Sequence, residues 1–297
     1  MEAKSPPTIS SRTLPSVESA TFLESSFFSR NSPEAALPSP ANVREQSAIQ
    51  NPTSHVGGDY GFKPDRYEHL GLIVKFGRAP EVTVAEGQLL WALRRTLPTV
   101  PVPEVYGWTH DNGQVFIYME LIKGVTVAVS RPGLASSDIL RHAPGDFFLG
   151  HINREPLGDV IFTNARLPPA GPFNSVVQPH DWLTMAIKTR IRPLWPGKEL
   201  SEIPDPYRSR LPDDAKVDFT HSDLHPSNIM VSETSNKIIA VIDWRQSGWY
   251  PDYWEFCKAE YTAEVYGEWM NTYIPIFLKE PECLEAWEFY PRFFGHW

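Results

Sequence analysis

The sequence has little cysteine, little positive charge and no long apolar run. Only Cys257 and Cys283 occur in 297 residues. Two thiols build neither a disulfide framework nor a four-thiolate zinc site, so a reducing compartment, the cytoplasm, is the simpler expectation. Lysine and arginine number 27 against 36 acidic residues, a formal net charge of -9. Binding nucleic acid by bulk electrostatics needs a basic surface, so no nucleic-acid partner is expected. No apolar stretch approaches the roughly 18 residues that span a bilayer. The longest clean one, Ile238 to Ile242, has the length of a strand, and no membrane partner is expected. No basic start leads into an apolar block, so no signal peptide is expected. Glu2, Glu18, Glu24 and Glu34 speak against a mitochondrial presequence. No internal repeat is visible.

What is present suits a folded protein. At 41% hydrophobic and 12% aromatic residues the chain can bury a sizeable core. The stretch from Met1 to about Ser54 is the exception. It is rich in serine and proline and holds few aromatics besides Phe22, Phe27 and Phe28. Such a segment buries too little apolar surface to offset its ordering entropy, which predicts a disordered tail over residues 1–59. Beyond it, Leu72 to Phe76 reads as a strand and Thr83 to Arg95 as an amphipathic helix. Val105 to Trp108 and Gln114 to Leu121 read as strands joined through the turn signal Asp111-Asn112-Gly113. Helical patterns follow around Asp181 to Arg190, Tyr253 to Tyr266 and Glu282 to Phe289.

The densest chemistry lies in His221-Ser222-Asp223-Leu224-His225-Pro226-Ser227-Asn228. A short strand, Ile229 to Val231, follows. After a polar turn comes a second strand, Ile238 to Ile242, which ends in Asp243-Trp244. Paired as a hairpin, these strands bring Asn228 and Asp243 to one end, with Asp223 upstream in the loop. Any one of these residues alone reads as a turn or cap. Together, an amide oxygen and a carboxylate suit a hard cation such as Mg2+, and the second carboxylate can take a proton from a hydroxyl. That is the set of parts phosphoryl transfer needs.

These residues resemble the aminoglycoside phosphotransferase and choline kinase-like family. Its catalytic loop reads close to H-G-D-x-H-x-x-N, and its second metal aspartate ends a strand in I-D-W or I-D-F. Gly248 to Glu255 resembles the segment that follows in fungal members. The resemblance implies an α+β, protein-kinase-like bilobal fold. A small antiparallel-sheet N-lobe would cover residues 60–121 and a mainly helical C-lobe residues 122–297. It implies Asp223 as catalytic base, His221 as a buttress of the loop, and Asn228 and Asp243 as Mg2+ ligands. The cofactors would be ATP (or GTP) and Mg2+, and the partner a small-molecule hydroxyl substrate, polyamine-like cations included. Monomer and dimer stay open. His225 either bonds within the loop or contacts phosphate. Ser222 stands where the family usually has glycine. Serine does not comfortably take a left-handed backbone, so this departure bears on the loop geometry.

Lys75 lies in an apolar strand. It either snorkels from an exposed edge or faces inward and needs a partner. Glu86 on the next helix suits that role, with Glu81 as a rival. The resemblance implies that Lys75 contacts the nucleotide phosphates and that Glu86 positions it. Met119, Glu120 and Leu121 then resemble a hinge that binds adenine through the backbone; plain core packing is equally consistent for Met119 and Leu121. Trp249, Tyr250, Tyr253 and Trp254 read as packing beneath the site or as a cation-binding box. Glu255, Glu260, Glu264 and Glu268 read as a solvated acidic face.

Two features depart from a complete kinase. Only Gly57, Gly58 and Gly61 stand where a nucleotide lid would lie. Val125 to Phe148 carries Pro132, Gly133, Pro144 and Gly145 where the family has a long helix, so a central helix is shortened or missing. A catalytically impaired kinase-like nucleotide-binding module is therefore the alternative to an active kinase. A protein kinase is disfavoured because Asp243-Trp244-Arg245 replaces Asp-Phe-Gly and no Ala-Pro-Glu follows. Hydrolase motifs, G-x-S-x-G and H-E-x-x-H, are missing.

Overall fold

The computed structural model describes residues 8–32, 34–51, 64–126, 141–142, 145–163, 167–235 and 237–294. In chain order, strands β1 (Thr8–Ile9) and β2 (Ala20–Thr21) precede helices α1 (Ser26–Asn31) and α2 (Pro40–Gln50). Strands β3 (Asp65–Tyr67) and β4 (Leu72–Gly77) lead to helix α3 (Val84–Thr96). Strands β5 (Val105–Asp111), β6 (Gln114–Glu120), β7 (Val125–Thr126) and β8 (Arg141–His142) follow, then helix α4 (Val177–Ile191). Strands β9 (Val217–Thr220), β10 (Ile229–Val231), β11 (Ile238–Val241) and β12 (Gly248–Pro251) precede helices α5 (Trp254–Tyr261), α6 (Ile274–Phe277) and α7 (Leu284–Phe294). The described residues of 13–132 and 229–245 form one unit, and those of 1–12, 133–228 and 246–297 another.

The first unit is built on an antiparallel sheet in the order β2-β5-β6-β4-β3. The β5–β6 turn is the one the sequence announces. Asn112 and Gly113 take φ of 51° and 71°, the left-handed pair that a two-residue hairpin of matching twist requires. Alternation along β4 separates two faces. Leu72, Val74 and Phe76 join Tyr106, Phe116 and Tyr118 on one. Ile73 and Lys75 occupy the other, where α3 packs. Gly87 permits that approach, since a Cβ there would come within 3.2 Å of the Trp108 ring. A second sheet, in the order β11-β10-β7, sets Ile229 opposite Val241.

Over residues 8–32 and 34–51 the predicted disordered tail needs correction; residues 1–7 and 52–59 lie outside the described residues. Phe27, Phe28 and Val43, from α1 and α2, are buried against the Leu72, Val74 and Phe76 face. Ala20–Thr21 extends the sheet beside β5. Ser39 caps α2 by accepting the Asn42 N–H at 3.3 Å, with Pro40 at the first helical turn. Composition averaged over the segment conceals a few apolar anchors in a serine- and proline-rich background. Those anchors cover a sheet face that would otherwise meet water.

In the second unit, β9 and β12 pair antiparallel. One apolar cluster joins Trp182, Leu183, Ala186 and Ile187 of α4 to Trp254 and Cys257 of α5 and Ala286, Trp287 and Tyr290 of α7. Both cysteines are free and buried. Trp249, Tyr250, Tyr253 and Trp254 are 5% exposed or less, so of their two readings packing holds and an open cation box does not. The helix expected to Tyr266 stops at Tyr261. Gly57, Gly58 and Gly61 and residues 127–140, 143 and 144 of the Val125–Phe148 segment lie outside the described residues. Among the described residues no helix is long and apolar enough to cross a membrane.

Candidate active site

In the first unit, Lys75 is 9% exposed and faces inward. Its Nζ lies 3.0 and 2.8 Å from Oε1 and Oε2 of Glu86, and 2.7 Å from Oδ1 of Asp243. The expected strand-to-helix pair is therefore made, and Glu81 is not the partner. Burial works against the Lys75 charge, but the Glu86 and Asp243 carboxylates outweigh it and hold the ammonium above its ordinary pKa. Asp243 follows β11 and takes φ of 60°. Its side chain keeps 44% of its surface exposed, whereas that of Glu86 keeps 3%. One carboxylate is thus a buried support and the other reaches solvent.

The expected hinge is only partly placed at a cavity. Met119 is buried in β6, opposite Ile73 and Val105. Glu120 and Leu121, with Arg30, His69 and Lys123 among others, line a cavity of about 640 Å³. The Glu120 N–H donates to the Glu104 carbonyl at 2.8 Å and the Leu121 N–H to the Gly71 carbonyl at 3.1 Å, so both donors are engaged within the protein. Arg30 was invisible to sequence reasoning because it lies in the segment read as a tail.

In the second unit, β9 delivers the loop His221–Asn228. The loop is fixed largely by its own groups. The Asp223 N–H donates to His221 Nδ1 at 3.2 Å, which makes that nitrogen the acceptor. Asn228 Nδ2 donates to the Asp223 carbonyl at 2.8 Å and to its Oδ2 at 3.2 Å. This orients the carboxylate and leaves the Asn228 amide oxygen as that residue's acceptor. His225 Nδ1 lies 2.8 Å from Ser227 Oγ, a bond within the loop, and burial lowers the imidazole pKa.

Glu255 does not belong to a solvated acidic face. Its Oε2 accepts the His221 N–H at 2.6 Å and its Oε1 the Ser222 N–H at 3.2 Å. A sequence pattern of repeated glutamates gives no sign of this, since the contact joins α5 to a loop 34 positions away. Burial pushes the Glu255 carboxyl up from 4.5 to about 7, against the pull of those two backbone donors. A carboxyl whose folded-state pKa is raised contributes stability below its unfolded pKa and loses it as pH rises through the folded one. Stability is expected to fall between about pH 4.5 and pH 7 and to level off above, by up to about 3 kcal/mol from this group. Glu255→Gln is expected to flatten that stretch of the melting-temperature profile. An unchanged slope in the variant would mean that the group does not titrate there.

Ser222 takes φ of 65°, the left-handed conformation that favours glycine. Its hydroxyl donates to Asp159 Oδ2 at 2.5 Å. Asp159 and Lys258 form a salt bridge of 3.1 Å with both side chains 0% exposed. No sequence motif marks either residue.

An amide and a carboxylate, Asn228 and Asp243, are the oxygen donors expected to hold Mg2+. A hard cation that keeps several waters and binds substrate phosphates needs no larger protein set, so the donor chemistry fits. Among the described residues no group of three or more His, Cys, Asp or Glu side chains is arranged to hold a metal.

Residues 178–278 match the family model described as the phosphotransferase enzyme family. The matched segment contains Asp223, Asn228 and Asp243, so the resemblance of the loop extends to its surroundings. No curated protein matches the chain. Among solved structures, the chain is similar to an aminoglycoside phosphotransferase from Streptomyces rimosus in complex with ADP and streptomycin. The identity is 16%, over 84% of this chain and 92% of that one, with a TM-score of 0.41. It is similar to a putative fructosamine-3-kinase from Haemophilus somnus at 14% identity, over 75% and 74% of the two chains, with a TM-score of 0.42. A macrolide 2'-phosphotransferase from Brachybacterium faecium aligns at 16% identity over 82% and 87%, with a TM-score of 0.38.

Proposed function

We propose that this chain, whose residues 178–278 match the model of the phosphotransferase enzyme family, moves the γ-phosphoryl group of ATP to a hydroxyl of a small molecule. The observation that carries the reading is the buried ammonium of Lys75 gripped by Glu86 and Asp243. A lysine held this way is a fixed positive charge suited to phosphate oxygens.

Asp223 takes the proton of the acceptor hydroxyl at its carboxylate, oriented by Asn228 and by the loop's bond to His221. The acceptor oxygen bonds to the γ-phosphorus as the bond to the bridging oxygen breaks, and ADP leaves. Lys75, extended by Glu86, offsets charge on the phosphates. Glu120 and Leu121 border the cavity proposed for the base. Asn228 and Asp243 are the proposed ligands of Mg2+, which when bound supplies further positive charge to the phosphates. The acceptor is a small molecule, with cationic amino alcohols and amino sugars in the class to be screened.

Thermal unfolding with Mg-ATP tests the nucleotide site. A ligand that binds only the folded state stabilises it by about 2.7 kcal/mol at a hundredfold excess over Kd. The wild type is expected to shift upward with Mg-ATP, and Lys75→Met and Asp243→Ala to lose that shift. No wild-type shift would overturn the reading. A shift without ADP release, across a panel of hydroxyl acceptors, would favour the impaired binding module.

A further inference from the structure

We infer that Asp159 is a positioning residue of the catalytic loop, acting on Asp223 through Ser222; this rests on the phosphotransferase reading for what the loop does, but not for how it is held. Asp159 lies 63 positions before Ser222 and is 0% exposed. Its two oxygens divide their partners. Oδ1 accepts the Ile161 N–H of its own turn at 2.9 Å and Lys258 Nζ at 3.1 Å. Oδ2 accepts the Ser222 hydroxyl at 2.5 Å and the Trp254 indole N–H at 3.0 Å. Gln246 closes the network, its Oε1 accepting the Val160 N–H at 3.0 Å and Lys258 Nζ at 3.4 Å. The turn at Asp159, helix α5 and the loop thus meet in one buried polar cluster.

A fully buried ion pair contributes little net stability compared with apolar residues of the same volume. Orientation is what this one supplies. A left-handed backbone at a non-glycine residue is unfavourable and must be held by its surroundings. At Ser222 the hold is threefold: Glu255 takes the N–H, Asp159 takes the hydroxyl hydrogen, and the Trp254 indole N–H donates to the hydroxyl oxygen at 3.0 Å. The next residue is Asp223. A glycine at this position would adopt the same φ without strain but would offer Asp159 nothing to hold. The serine converts a flexible turn into a clamped one, provided that a buried acceptor waits opposite.

The test is a double-mutant cycle of Ser222→Ala and Asp159→Asn with two readouts. Amide exchange over residues 221–228 reports the loop without reference to turnover. ADP release from Mg-ATP in the presence of the hydroxyl-acceptor panel gives kcat and KM. Loss of a hydrogen bond to a buried charge is expected to speed loop exchange and lower kcat by about tenfold to a hundredfold, with KM for ATP unchanged within about twofold. Exchange in α4 is expected to stay as in the wild type. The double variant is expected to be no worse than the more affected single, because both remove one contact. Additive effects, or a Ser222→Ala variant with wild-type loop exchange and kcat, would overturn the inference. If Asp159→Asn does not melt cooperatively, the pair Asp159→Asn with Lys258→Met takes its place, since it leaves no unpaired buried charge. If that pair also fails to melt cooperatively, Ser222→Ala decides by itself. A wild type that releases no ADP sinks the phosphotransferase reading, while loop exchange still decides how the loop is held.

Discussion

Asp223→Asn is expected to lower phosphoryl transfer by about 10² to 10⁴ while leaving the Mg-ATP stabilisation in place. A positioned general base contributes about that much to rate, and an amide of the same shape cannot take the hydroxyl proton. Because Asn228 Nδ2 donates to the Asp223 main-chain carbonyl as well as to Oδ2, the loop retains one of the two bonds whatever the side chain. His221 Nδ1 accepts the main-chain N–H of residue 223, which the substitution also spares. The expected signature is therefore a fall in kcat with KM for ATP little changed. Turnover within about threefold of the wild type would remove Asp223 from the base role. Loss of the nucleotide-dependent melting shift together with turnover would make it a binding residue instead.

Phe27→Ala is expected to destabilise the unit containing residues 13–132 by about 3–5 kcal/mol, the usual cost of emptying a buried phenylalanine site. Phe27 is 0% exposed and packs edge-on to Phe28, with ring centroids 5.1 Å apart, and against Tyr106 at 5.3 Å. The Arg30 guanidinium on the same helix donates to the Tyr106 hydroxyl. Urea unfolding followed by fluorescence checks the effect. A change below about 1 kcal/mol would mean that the segment is not docked in solution. The prediction also separates two accounts of the first fifty residues, because a disordered tail would tolerate the substitution without loss.

The parts of the site that were legible in the sequence are local. Lys75 and Glu86 stand 11 positions apart on a strand and the helix after it, an order that made Glu86 a candidate partner beside Glu81. Asp223 and Asn228 share one loop, and the strands that flank the next turn announce their own hairpin. What escaped was nonlocal and chemically ordinary. Asp159 sits among Leu157, Val160 and Ile161 with nothing to mark it, and Lys258 falls in a helix of mixed character. Their meaning comes from being buried together. Glu255 was misread for the same reason: an acidic repeat along a helix says nothing about which member turns inward. The N-terminal helices escaped because two phenylalanines and a valine, spaced along a polar segment, make no periodic signal, although they suffice to cover one sheet face.

The path of the chain through the two units has a consequence for synthesis. The unit that contains Lys75 is completed by residues 229–245, and Asp243 lies 168 positions after Lys75. The other unit is discontinuous too, since β1 at Thr8–Ile9 pairs with β8 at Arg141–His142. The Lys75 unit therefore cannot finish folding once residues 13–132 have emerged, as a continuous N-terminal domain ordinarily would. Until residue 245 has emerged, β7 has no β10 to pair with and Lys75 has only one of its two carboxylates. A nascent chain that stops before β10 carries the complete five-stranded sheet but leaves β7 without a partner strand, an unpaired edge. Emergence of residue 243, rather than completion of residues 13–132, sets the moment at which Lys75 gains its second carboxylate.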